Sequence, residues 1–165
     1  MKNKMTEKLF VLAYTDSMTE VQNRNAYEEC LKKLRKPNAN ISRITVVVVD
    51  VNGLKEINDS YGHFCGDDAI KTVAKALRDT IGLMADIFRI GGDEFVCISE
   101  SNVLPYISQF KDTIYFINNE KLYNLSVSIG YSRFHEKYSK SIDDIICRAD
   151  EKMYKDKKSK KYCRF

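Results

Sequence analysis

The run Ile44-Thr45-Val46-Val47-Val48-Val49 is almost wholly apolar and β-branched. That is the pattern of a strand buried on both faces, since a half-solvated strand would alternate and a surface helix would repeat every three to four residues. Other elements must therefore pack on both of its sides. The run ends at Asp50. A carboxylate so near the interior needs a partner or a cation, or else caps nearby backbone amides.

A second stretch, Arg89-Ile90-Gly91-Gly92-Asp93-Glu94-Phe95, joins two apolar, β-prone runs, Ala85 to Ile90 and Phe95 to Ile98. The Gly-Gly pair between them predicts a tight hairpin with two carboxylates at its tip. Glycine lets the backbone approach a ligand closely, so an acidic pair beside it is placed to hold a cation or to face a phosphate through one. Solvated acids on an ordinary polar turn account for the same residues, and the stretch alone does not separate the two readings.

The remaining segments fall around these two. Residues 6–14 read as a short helix, followed by the polar stretch Thr15 to Glu20. Asn23 is positioned to cap a helix running to Lys36, with Ala26, Tyr27, Cys30, Leu31 and Leu34 on one face and Pro37 ending it. Asn52 to His63 reads as a short helix and a turn. Gly66-Asp67-Asp68 then opens a periodic helix that buries Ile70, Val73, Ala74, Leu77 and Ile81, with Asp67 where an N-cap is expected. Pro105 marks the start of a helix to about Asn118, and Leu125 to Tyr131 alternates like a half-buried strand. Ile142, Ile145, Ile146, Ala149 and Met153 mark a last amphipathic helix. Continuing it by fours puts Lys157 and Lys161 on nearly one line, so two cations can reach a common target. The expected fold is α/β (α+β): a mainly antiparallel sheet with helices packed on it, strand ends and hairpin tip meeting at one edge.

At 165 residues the chain is expected to form one domain with a real core. No apolar run approaches the roughly 18 residues of a membrane span, and Met1-Lys2-Asn3-Lys4-Met5 has no apolar signal core behind it, so a cytoplasmic location is expected. Five scattered cysteines lack metal-ligand spacing and read as reduced, mostly buried thiols. The net charge of +4 is local: residues 152–165 hold seven Lys or Arg against one Asp, which leaves the other 151 residues at −2. Such a tail either solubilises the chain or grips phosphate.

Several stretches together resemble the GGDEF-domain diguanylate cyclases. Gly91 to Phe95 spells the family's name. Asp16-Ser17-Met18-Thr19 with Asn23-Arg24 is similar to its opening motif, and Asp50-Val51-Asn52, Lys55, Ile57-Asn58-Asp59, Tyr61-Gly62-His63 and Gly66-Asp67 to its strand-and-loop motif. Ser126 to Gly130, Ala149-Asp150-Glu151, Met153-Tyr154 and Lys157 are similar to its closing motifs. The resemblance implies a palm-like βαββαβ core over residues 14–165, behind a helical lead-in at 1–13. It also implies condensation of two GTP into cyclic di-GMP and pyrophosphate, with Mg2+ or Mn2+ held by Asp50, the Val51 carbonyl and Asp93. Base duty for the 3′-hydroxyl is expected at Asp93, with Glu94 second. Asn58 and Asp67, with His63 beside them, match the family's guanine contacts; a carboxylate and an amide can select the N1–H and 2-amino donors that adenine lacks. Lys157 and Lys161 match the triphosphate grip.

Partners implied are GTP, a second copy of the chain, and an attached or associated sensor domain that does not precede Thr6 here. Nucleic acid is not among them. The alternative is a weak or inactive relative that binds GTP or a dinucleotide as a regulatory module. Three departures stand out. Glu20 occupies a usual Gly position, Asn52 a common Asp position, and Lys160-Lys161-Tyr162 replaces a common Gly-Arg-Asn. The family's product-inhibition motif, Arg-x-x-Asp, reads Gly82-Leu83-Met84-Ala85 here, so no such site is expected.

Overall fold

The computed structural model describes residues 9–162, without the side chains of residues 161 and 162. Thr6 to Lys8, the Lys161 side chain and Cys163 lie outside the described residues. Helical residues 9–14 form α1, followed by α2 (Arg24–Leu34), β1 (Thr45–Val51), α3 (Leu54–Tyr61), α4 (His63–Ile81), β2 (Asp86–Arg89), β3 (Glu94–Ser99), α5 (Leu104–Asn118), β4 (Val127–Arg133) and α6 (Ile142–Tyr162).

The β-branched run forms the middle of the molecule. All seven residues of β1 are buried, and the strand pairs antiparallel with β3 on one side and β4 on the other. With β2 on the far side of β3, the sheet order is β2-β3-β1-β4, antiparallel throughout. Because side chains alternate along a strand, Val47, Val49 and Val51 pack with Val73 and Leu77 of α4 and Phe110 of α5. Val46 and Val48 point the other way, onto Tyr27 and Leu31 of α2 and Ile142 and Ile145 of α6. The expected α/β sandwich is therefore built on a double-faced central strand.

Local chemistry sets the element ends. The Asn23 side chain accepts the Ala26 N–H at 3.1 Å and starts α2 as expected. The helix stops at Leu34 rather than Lys36, because a residue preceding proline is driven out of the helical region. Asp67 does not cap α4. The helix begins four residues earlier, at His63, and the break from α3 is made by Gly62 at φ 84°, ψ 161°, a conformation that L-residues avoid. Asp67 thus sits in the second turn of α4. β4 starts at Val127, not Leu125, since the Leu125 N–H is taken by the Asn118 side chain at 2.6 Å. Its first four residues are all buried, more than a half-buried strand allows, because α6 lies directly on it. A Cβ on Gly130 would stand 2.0 Å from the Ala149 carbonyl oxygen.

Both outer strands are tied sideways. On β2, the Gln22 N–H donates to Ile87 O at 3.0 Å and Gln22 O accepts the Arg89 N–H at 2.8 Å. On β4, Asp156 accepts the Ile129 N–H at 2.9 Å and Lys160 donates to Val127 O at 2.7 Å.

Of the four described cysteines only Cys97 is buried; all four are free, and Cys147 is exposed on α6. The expectation of mostly buried thiols fails: Cys30 and Cys65 are only half-buried, and Cys147 falls on the solvent side of α6, where its sulfur lies 3.8 Å from Glu151. No helix of the described residues is long and apolar enough to cross a membrane.

Candidate functional site

The pairing register brings the acids together. Asp50, near the end of β1, is the direct partner of Glu94, the first residue of β3, so both side chains lie on one face of the sheet. The Val51 N–H donates to Asp93 O at 2.9 Å and stitches the hairpin tip to the end of β1. A Cβ on Gly91 would sit 2.8 Å from Glu94 Oε2; glycine there lets the Glu94 carboxylate fold back over the turn.

Asp50 is 3% exposed and its Oδ2 accepts the Lys157 ammonium at 2.7 Å. An ion pair is thus one of the roles this strand-end carboxylate fills. The Glu94 carboxyl is held above the usual carboxylate range, first by burial and then by the neighbouring charges of Asp93, Asp50 and Asp150, against a smaller opposing pull from Lys157. The hairpin tip is thus a concentration of negative charge. Among the described residues no three His, Cys, Asp or Glu side chains form a closed ligand cluster. Asp50, Asp93 and the Val51 carbonyl offer instead two carboxylates and one backbone oxygen, donors of the kind that hard divalent cations accept.

Beside the tip opens a cleft of about 460 Å³, lined among others by Gly53 and Lys55 at the start of α3, Asp93, Ser126, Lys157 and Lys160. Gly53 adopts φ 66° and leaves the first turn of α3 without a side-chain cap, so its backbone amides remain available to an anion. Asn52 forms part of the floor. Its Nδ2 donates to Ser126 Oγ at 3.2 Å and its Oδ1 accepts from Ser128 Oγ at 2.7 Å. An amide satisfies both contacts at once, which gives the Asp-to-Asn departure a structural role.

Asn58, His63 and Asp67 do not line this cleft. They occupy the corner between α3 and α4, one turn beyond the cleft residue Leu54. The helices nearly touch there: a Cβ on Gly66 would lie 1.9 Å from Asn58 Oδ1, which puts the half-buried Asn58 beside half-buried Asp67, with exposed His63 at the corner itself.

Sequence reasoning missed several supports. Arg89 donates to Asp16 at 3.1 Å and to Gly92 O at 2.8 Å, tying the hairpin tip to the loop before α2. Burial pushes the Asp16 carboxyl up, yet the Thr19 hydrogen bond and the Arg89 guanidinium prevail and hold it below the usual range. Glu20, the departure from Gly, has φ 62°, so a left-handed residue is needed there whichever side chain stands on it. Asp68 accepts from Lys121 at 2.6 Å and from the Tyr123 hydroxyl at 2.5 Å, which steadies α4 next to Asp67. Lys160 lines the cleft as well, three residues from Lys157, the spacing of same-face neighbours; the Lys161 side chain lies outside the described residues.

Comparison with known proteins agrees with this geometry. The family described as diguanylate cyclase, GGDEF domain, matches residues 13–163. A diguanylate cyclase of Vibrio cholerae is 31% identical over 170 residues, covering 94% of this chain and 50% of its own length. Diguanylate cyclase DgcS of Shewanella oneidensis is 27% identical, covering 95% and 54%. This chain therefore spans about half the length of those relatives. The crystal structure of the coiled coil and GGDEF domain of DgcB from Caulobacter crescentus superposes with a TM-score of 0.80 at 23% identity, covering 95% of this chain and 87% of that one. With the acids at the end of β1 meeting the Gly-Gly hairpin in a matching fold, the chain belongs to the GGDEF-domain diguanylate cyclase family.

Proposed function

We propose that the chain condenses two molecules of GTP into cyclic di-GMP and pyrophosphate, in a metal-dependent reaction at the interface of two copies of itself. The observation that carries this reading is the convergence of Asp50, Asp93 and Glu94, where burial and then the neighbouring acids hold the Glu94 carboxyl above its usual range, beside a cleft that presents Lys157 and Lys160. Excess negative charge next to a cationic cleft suits a triphosphate bridged to carboxylates by a divalent cation.

Asp50, Asp93 and the Val51 carbonyl would hold that cation, Mg2+ or Mn2+. Its chemistry, when bound, is to neutralise phosphate oxygens as the α-phosphate is attacked. Lys157 is a counterion for Asp50 in the free chain, and its reach into the cleft suits it to turn toward phosphate instead. Asp93 lines the cleft and is the base assigned to the attacking 3′-hydroxyl. Glu94 is the second candidate, because a raised pKa makes it the stronger proton acceptor once ionised. Asn58 and Asp67 read guanine, with His63 beside them and Lys161 adding to the phosphate grip. A site with such acceptors rejects adenine because it leaves them unpaired.

Among the described residues one acidic hairpin stands beside one lysine-bearing cleft, and the product needs two nucleotides. Two copies related by a two-fold axis would aim each 3′-hydroxyl at the opposite α-phosphate. Positioning of this kind can supply on the order of 7–11 kcal/mol. A sensor domain, attached or associated, would bring the two copies together, and the GTP requirement places the reaction in the cytoplasm.

The test is incubation of the chain with GTP and Mg2+, with products separated by chromatography. Cyclic di-GMP and pyrophosphate are expected from the wild type, and none from Asp93→Ala, which loses a charge that holds the transition state. GTP binding without product would favour the regulatory-module reading, and undiminished product from Asp93→Ala would remove that residue from the mechanism.

A further inference from the structure

The cleft holds a cation, Lys160, that adds to its charge but has so far been given no role of its own. Lys160 lines it together with Lys157, Asp93 and the start of α3, and it is fixed rather than mobile. Its Nζ donates to Val127 O at 2.7 Å and to Asp156 Oδ2 at 2.6 Å. Asp156 is fixed in turn by the Ile129 N–H at 2.9 Å. An ammonium has three N–H donors, so two are engaged with the protein and one remains for a ligand, on a side chain that is 42% exposed. Lys160 and Lys157 are one helical turn apart on α6, which spaces their charges along the cleft wall.

We infer that Lys160 is a triphosphate-selecting residue, a pre-positioned second cation whose free N–H binds the distal phosphates of the nucleotide. The inference rests on the proposed function for the identity of the nucleotide, but not for the polyphosphate chemistry. A lysine tethered at two points loses little freedom on binding, so its contact with an anion is not offset by ordering cost. The competing role is purely structural: Lys160 and Asp156 fasten α6 to the side of β4 and do nothing for the ligand.

Selectivity separates the two roles. The wild-type chain, Lys160→Gln and Lys160→Arg are titrated with GTP, GMP and inorganic tripolyphosphate in the presence of Mg2+, by calorimetry, and the wild type also with ATP. Glutamine keeps N–H donors, on a chain one bond shorter, while removing the charge. Loss of a charge-assisted contact should weaken GTP and tripolyphosphate by about ten-fold or more while leaving GMP within about two-fold, and arginine should restore most of the difference. An equal loss for all three ligands, or no loss for any, overturns the inference. If the wild type binds tripolyphosphate but does not prefer GTP to ATP, the guanine reading fails while the tripolyphosphate comparison still decides the role of Lys160.

Discussion

Gly130→Ala should do more damage than its single methyl suggests. The added Cβ would lie 2.0 Å from Ala149 O, 2.2 Å from Met153 N and 2.9 Å from Lys152 C, all backbone atoms of α6. None of these can rotate away, as the end of a side chain would. Restoring a contact of 3.0 Å moves α6 outward by roughly 1 Å against a close-packed sheet. Overpacking usually costs 1–3 kcal/mol, and a backbone clash belongs at the upper end, about 3 kcal/mol. For a chain of this size that lowers the melting temperature by about 6–12 °C. The same shift carries Lys157 away from Asp50, now 2.7 Å apart, so turnover should fall by about 100-fold in variant that is still folded. Thermal melts followed by circular dichroism give the first number and product formation at 20–25 °C, well below the melt, about the second. Gly92→Ala is the control: nothing lies within 4 Å of a Cβ there, and its melt should stay within about 0.5 kcal/mol of wild type. A Gly130→Ala protein that melts with wild type and turns over normally would refute the claim that α6 rests on bare β4 backbone.

Glu94→Gln should melt above wild type at pH 7. A carboxyl whose pKa rises on folding stabilises the protein while protonated and loses that contribution as pH climbs through its folded value, so ionised Glu94 opposes folding at neutral pH. The gap should close as pH falls below the ordinary value of 4.5; a gap that persists there, in paired melts across pH, rules out the electrostatic cause. Gly66→Ala should press on the Asn58 amide, which would meet the new Cβ at 1.9 Å, and so reduce the preference for GTP over ATP while tripolyphosphate affinity holds; unchanged preference would detach this corner from base reading. Product formation should rise faster than linearly with protein concentration in the dilute range. Constant specific activity where sedimentation finds only monomer would contradict a two-copy site.

The parts of this molecule that were legible in the sequence are those specified by local pattern. Ile44 to Val49 announced a double-faced strand through β-branching and the absence of alternation, and Gly91-Gly92 announced the hairpin. Asp50 at the strand end was suspicious because burial and charge conflict within one residue. What escaped was specified by distance or by backbone angle. The start of α4 depends on φ 84° at Gly62, which leaves no trace in hydrophobic period. Arg89 and Asp16 meet across 73 residues, and Asp68 meets Tyr123 across 55. Counting by fours along α6 pointed to Lys161, whose side chain lies outside the described residues, and passed over the neighbour at three, Lys160, which lines the cleft. The pair proposed to read guanine, Asn58 and Asp67, was legible by resemblance alone, since its residues come together through the close approach of α3 and α4 at Gly66.

The sideways ties on the two outer strands have a consequence for how copies of this chain can meet. An open strand edge is a template on which any extended segment can nucleate a ladder, the first step of aggregation or strand exchange. Here Gln22 occupies the rim of β2 through both its amide and its carbonyl, and Asp156 and Lys160 occupy an amide and a carbonyl of β4. A newcomer must break hydrogen bonds already made before it can form its own. Crowding many copies together, as a signalling assembly does, therefore carries a lowered risk of fibrous association, and recognition between copies is left to side chains.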